Sequence, residues 1–134
     1  MGSIFSKIIS GEIPSHKVAE SSDFLAFLDI HPLREGHVLV IPKTEIDYIF
    51  DMDDEHYLNM MLFAKIVAKA IKVAIPCIKV GVAVIGLEVP HAHIHLIPMN
   101  NVSDMDFSQP KLNPTEVELS DTALKILEAS KIVS

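Results

Sequence analysis

Residues 90–98 read PHAHIHLIP, which places three of the chain's seven histidines, His91, His93 and His95, at alternate positions. Alternation is the strand period, so the spacing predicts a β-strand over residues 89–98 with the three imidazoles on one face. On an ideal strand neighbouring members of such a row stand about 6.7 Å apart and the outer two about 13 Å. Two histidines at i and i+2 can converge on a metal ion through bonds of about 2.0–2.1 Å, and a third at i+4 joins them only if the strand bends. A metal reading through His91 and His93 therefore leaves one histidine idle and asks for a ligand from elsewhere. A row of phosphate or ester oxygens suits a row of imidazoles better. The central ring attacks phosphorus while its neighbours donate hydrogen bonds on either side, and neutral imidazole is a competent nucleophile near pH 7. Packing alone gives no reason for the spacing to repeat three times.

Working upstream, IKVGVAVIG (78–86) reads as a second, Val-rich strand. From Asp53 to Ile75 the period is helical, opening on the acidic run Asp53-Asp54-Glu55, which suits a helix N-terminus. Lys65, Lys69 and Lys72 make one polar stripe on it. The apolar remainder, Leu58, Met61, Leu62, Ile66, Val67, Ala70 and Ile71, is wider than one sheet face needs. That breadth fits a deeply buried helix or a helix shared with a second subunit, and the small chain favours the shared helix. HVLVIP (37–42) is a buried strand ending at proline. FLAFLDI (24–30) and HKVAES (16–21) are shorter strands around the turn residues Ser21, Ser22 and Asp23. SIFSKIIS (3–10) is a short amphipathic helix closed by Gly11. Downstream, Pro110 and Pro114 precede a C-terminal helix expected to be capped by Ser120 and to run through Leu124 and Leu127. The order of elements gives an α+β plan with a mostly antiparallel sheet.

The 134 residues fit a single domain, 1–134, with one sizeable core. The net charge of -7, from 18 acidic and 11 basic residues, argues against a nucleic-acid-coating surface, although one local pocket can still hold a mononucleotide. Cys77 is the only cysteine, so the chain forms no internal disulfide and no cysteine-based zinc cage. No stretch reads as a signal peptide or a membrane span, which leads us to expect a cytoplasmic protein with no membrane partner. The start, Met1-Gly2-Ser3-Ile4-Phe5-Ser6, fits a loose myristoylation pattern, but Ile4 and Phe5 have a better use below.

HAHIHLI (91–97) matches the His-φ-His-φ-His-φ-φ signature of the histidine triad (HIT) superfamily of nucleotide hydrolases and transferases. IFSKIISGEIP (4–14) resembles that family's N-terminal segment, and FLDIHPLREGHVLVIPK (27–43) its Asp-Ile, Gly-His and Val-Ile-Pro-Lys block. The likeness spans roughly residues 3–99 and is greatest to the Hint-like branch, the purine nucleoside phosphoramidases. It implies a HIT-like α+β fold with about five strands, one long helix, a short N-terminal helix and a C-terminal helix in the tail from about residue 111. It also implies a homodimer joining two sheets, a purine nucleotide substrate and no cofactor.

By the same resemblance His93 is the nucleophile, forming a nucleotidyl-histidine that water then hydrolyses. His95 bonds the phosphate with His37 close by on the adjoining strand, and His91 orders the end of the row. Asp29 accepts hydrogen bonds from the ribose 2′ and 3′ hydroxyls, its other reading being a turn aspartate before His31-Pro32. Ile4, Phe5, Ile8, Ile30 and Leu39 form an apolar slot for the purine, or simply core, or both.

The chain departs from the family in three places. Many relatives bind structural zinc through Cys-x-x-Cys and a histidine; Ser3, Ser6 and Glu45 stand there here, so no structural metal is expected. VIGLEVPH (84–91) is a short loop without the usual asparagine, and Glu88 replaces a neutral polar residue. Glu88 either pairs with a cationic leaving group or points to solvent. Met99 stands where many relatives carry arginine. These departures keep two alternatives open: a dinucleoside polyphosphate hydrolase, and a nucleotide-binding module with little turnover.

Overall fold

The structure, a computed structural model, describes residues 2–133. Helix α1 (Ile4–Ser10) begins where the Ser3 side chain accepts from the Ser6 N–H, and ends at Gly11 with φ 85°. Strands β1 (Lys17–Glu20), β2 (Phe24–Leu28) and β3 (Val38–Pro42) follow as a meander. The long helix α2 (Asp54–Ala74) is capped by Asp53, and β4 (Lys79–Ala83), β5 (Ile94–Met99) and α3 (Glu116–Ser130) complete the chain. The sheet order is β1-β2-β3-β5-β4, and every neighbouring pair is antiparallel.

Alternation decides what each strand feeds. Phe24, Ala26, Leu28, Val38, Val40, Ile94 and Leu96 face the main core with Met60, Val67 and Ile71 of α2 and Leu119 and Ile126 of α3. Leu25, Phe27, Leu39 and Ile41 face a smaller cluster closed by Phe5 and Ile8 of α1. Helices cover both faces, which is why β2 and β3 are buried along their whole length. No described helix is long and apolar enough to cross a membrane.

Three expectations need correction. Strand β5 starts at Ile94, not at residue 89, so His91 and His93 precede the strand and only His95 lies in it. Pro90 has no N–H for a ladder. The Ala92 N–H bonds the Ile46 carbonyl and the His91 N–H bonds the Val89 carbonyl, so this segment turns onto the connection after β3. Strand β4 ends at Ala83, leaving Val84 to Glu88 outside the sheet. Helix α3 is capped by Thr115 rather than Ser120: its side chain accepts from the Glu118 N–H while Glu118 bonds back to the Thr115 N–H. Helix α2 buries Val67, Ala70 and Ile71 but leaves Leu58, Met61, Leu62 and Ile66 exposed, so the monomer does not bury the whole broad face.

Candidate active site

Ile94 and Leu96 point into the main core, so His95 between them emerges on the α1 side of the sheet, opposite Leu39 of β3. His93 lies just before the strand, and its ring centroid is 4.9 Å from that of His95. His91 is fully buried. Phe5 stands edge-on to both imidazoles, at 5.8 Å from His91 and 4.9 Å from His93. His37 enters from the connection before β3, just after Gly36, whose φ of 90° only glycine adopts readily.

In their uncharged form each of the four rings has its tautomer fixed by its hydrogen bonds. The Leu33 N–H donates to His37 Nδ1 at 3.1 Å, so the ring's proton sits on Nε2. That Nε2–H faces His95 Nδ1 at 3.0 Å, which must accept, so His95 carries its own proton on Nε2, on the side of the ring away from His37. His93 Nδ1 lies 2.7 Å from the His91 carbonyl, which only accepts; Nδ1 is the donor and Nε2 keeps the lone pair. His91 Nε2 donates to the Pro42 carbonyl at 2.8 Å, and its Nδ1 accepts from the Ser3 hydroxyl at 2.8 Å.

Electrostatics agree with neutral rings. Burial, aided by the positive potential of His95, Lys111 and His93, pushes His37 down to about 3. Burial and His93 push His95 down to about 4. His93 is also lowered, chiefly by burial, against the opposing bond to the His91 carbonyl. Burial raises Asp29, although the His31 N–H bonds its Oδ1 at 2.9 Å. Asp29 is thus a turn aspartate whose second oxygen, 3.7 Å from His37 Nε2, faces the histidine row. A crevice of about 440 Å³ opens on the other side of Asp29 and His37, against Pro32, Leu112, Leu119 and Thr122.

The residues expected in the site divide into two groups. His91, His93, His95, His37 and Asp29 are brought together. Phe5, Ile8 and Leu39 are buried in the smaller cluster, whereas Ile4 and Ile30 are about half exposed and free to meet a base. Glu88 is exposed on the loop before the triad. Sequence reasoning missed Phe107, whose ring stands 4.9 Å from His95 and 6.3 Å from His37. Nothing in the spacing of the tail signalled it, because it is folded back only by tertiary contacts such as the bond from the Leu112 N–H to the Pro32 carbonyl.

Two donor sets invite a test for metal. Asp29, His37 and His95 bring one ligand atom each within 4.8 Å of one another. A neutral imidazole has one lone pair, and that of His37 already faces the Leu33 N–H, so this trio does not fit an ion as arranged. The group at the family's zinc position does not fit either. Ser3 and Ser6 supply neutral hydroxyls in place of thiolates, and both bond within their own cluster, with Glu45 and His91 as acceptors.

The sequence profile of the HIT domain matches residues 10–102. An adenosine 5′-monophosphoramidase of Saccharomyces cerevisiae is 44% identical over 96 residues, covering 71% of this chain and 61% of that one. An adenosine 5′-monophosphoramidase of Schizosaccharomyces pombe is 39% identical over 102 residues, 75% of this chain and 77% of that one. Among solved structures, a Hit-like protein involved in cell-cycle regulation from Bartonella henselae superposes with a TM-score of 0.82 at 33% identity, covering 95% of both chains.

Proposed function

The chain belongs to the HIT domain family, and from that premise we propose that it hydrolyses purine nucleotide conjugates at the α-phosphorus through a nucleotidyl-His93 intermediate. The observation that carries the reading is the 2.7 Å bond from His93 Nδ1 to the His91 carbonyl. It locks the ring and leaves Nε2 unprotonated, which is what in-line attack on phosphorus requires. In the first step Nε2 bonds phosphorus and the bond to the leaving group breaks, the departing amine taking up a proton from solvent. In the second, water attacks phosphorus, the His93 bond breaks and the mononucleotide is released. His95, with its proton on Nε2, donates to a phosphoryl oxygen beside the nucleophile, where developing charge is best stabilised by a preset donor. Asp29 accepts from the ribose hydroxyls, and exposed Ile4 and Ile30 flank the purine. The choice of a phosphoramidate substrate, with an amine as leaving group, follows the activity for which the two yeast relatives are named. The working unit is a homodimer formed through α2 and β4.

Rapid quenching with an adenosine phosphoramidate followed by intact-protein mass spectrometry tests this directly. Wild type is expected to carry one nucleotidyl adduct, and His93→Ala is expected to show neither adduct nor turnover. Nucleotide bound in calorimetry with no adduct and no hydrolysis would replace the enzyme by a binding module.

A further inference from the structure

The start of α1, the connection after β3 and the turn before β5 meet in one polar cluster. Glu45 Oε1 accepts from the Ser3 N–H at 2.7 Å and from the Ser6 hydroxyl at 2.6 Å. The Ser6 N–H donates to Ser3 Oγ at 3.1 Å, and Ser3 Oγ donates in turn to His91 Nδ1. The Ser3 hydroxyl proton prefers His91 Nδ1 at 2.8 Å to its other acceptor, Ser6 Oγ, which is 3.5 Å away. His91 then presents the carbonyl that holds His93. Three hydrogen bonds, joined through the covalent frames of Ser3 and His91, thus connect an exposed carboxylate to the His93 ring.

We propose that Glu45 is a positioning residue for His93, acting through Ser3 and His91. The proposal rests on the reading of His93 as the nucleophile. Helix α1 spans seven residues, too few to hold its own first turn in place without tertiary anchors. Glu45 is such an anchor, tying the backbone of Ser3 and the side chain of Ser6 to one oxygen. The bonds from Ser6 and Ser3 hold its carboxyl below the usual range, so the anchor is charged at neutral pH. Releasing it frees Ser3, which leaves His91 Nδ1 buried without a donor, a state that drives the ring to rotate. Phe5 lies in the same turn, and its ring packs edge-on against both His91 and His93. Both supports of the nucleophile therefore depend on one carboxylate that meets no substrate. Cost falls on the rate of attack, because displacement by about 1 Å is worth up to about a hundredfold.

The test compares Glu45→Ala, Glu45→Gln and Ser3→Ala with wild type, on an adenosine phosphoramidate. Glu45→Ala is expected to lower kcat by about tenfold to a hundredfold, with a change in KM of under about threefold. Glu45→Gln keeps an oxygen that accepts the same two bonds, and is expected to hold kcat within about threefold of wild type. Ser3→Ala removes the donor to His91 without touching Glu45, so it is expected to match Glu45→Ala and stands in for it should that variant not fold. Nitrogen-15 spectra of the imidazoles read the positioning without any turnover. The His93 Nδ1–H resonance is expected to be sharp in wild type and Glu45→Gln, and broadened or averaged between both ring nitrogens in Glu45→Ala and Ser3→Ala. Absence of an adduct in wild type would sink the nucleophile, while the spectra still decide the positioning. An unchanged Nδ1–H resonance in both alanine variants, or a glutamine variant as impaired as the alanine one, would overturn the proposal.

Discussion

A histidine that attacks phosphorus must keep its lone pair at the pH where it works, and here three neighbouring rings bear on that requirement. Burial holds His93 below the ordinary imidazole value of 6.5 and pushes His95 down to about 4 and His37 to about 3. On the proposed mechanism protonation of His93 removes the nucleophile, and protonation of His95 at Nδ1 breaks its bond from His37. Since all three shifts point downward, the acid limb of activity lies below the pH at which a free imidazole titrates. The acid limb of a profile of kcat/KM against pH is expected to have its midpoint below 6.5, a midpoint at or above 6.5 being contrary to the scheme. That these residues would stand near one another was legible in the sequence, from three alternate histidines and from the resemblance carried by the block that holds Asp29 and His37. Their tautomers were not. The groups that set them, the Leu33 N–H, the His91 carbonyl and the Ser3 hydroxyl, are backbone or remote partners that meet the rings only after folding.

Element boundaries were read well where one signal dominated and poorly where two competed. Asp53 and Gly11 bracket their helices as their chemistry dictates. The alternation of residues 91–95 outlasts the strand it implied, because a proline and two local carbonyl acceptors draw the first half of the motif away from the ladder. At α3 two hydroxyls competed for the cap, and Thr115 wins because Glu118 stands three residues on, completing a reciprocal pair that Ser120 lacks. Thermal unfolding separates the two positions. Thr115→Ala is expected to cost about 1 kcal/mol and lower Tm by several degrees. Ser120→Ala, exposed and inside the helix, is expected to change stability by less than about 0.5 kcal/mol. Equal effects at both sites would contradict the capping geometry.

At the scale of the molecule, the sheet order leaves β4 at one edge with an unpaired row of backbone donors and acceptors. The other edge, β1, packs against α3. Beside β4, helix α2 exposes Leu58, Leu62 and Ile66 at intervals of four residues, a row along one side of the helix, and β4 itself exposes Val82. An open strand edge next to an apolar helix row is the kind of surface a monomer seldom leaves to water. A second copy satisfies both at once, strand against strand and helix against helix, since a two-fold contact presents the same patch from each side. A stable contact of this kind buries about 800 Å² per partner, which is a modest share of the 7616 Å² that one chain exposes. Each copy carries a charge of -7, so the contact works against repulsion and is expected to tighten as salt is added. Sedimentation is expected to give twice the 14.8 kDa of one chain. Leu62→Glu inserts a charge into the helix row and Val82→Lys blunts the edge, and each is expected to shift the species to monomer while leaving the fold intact. Wild type sedimenting at the mass of one chain would refute the dimer. Loss of the dimer in Leu62→Glu but not in Val82→Lys would place the contact on the helices and leave the sheets separate.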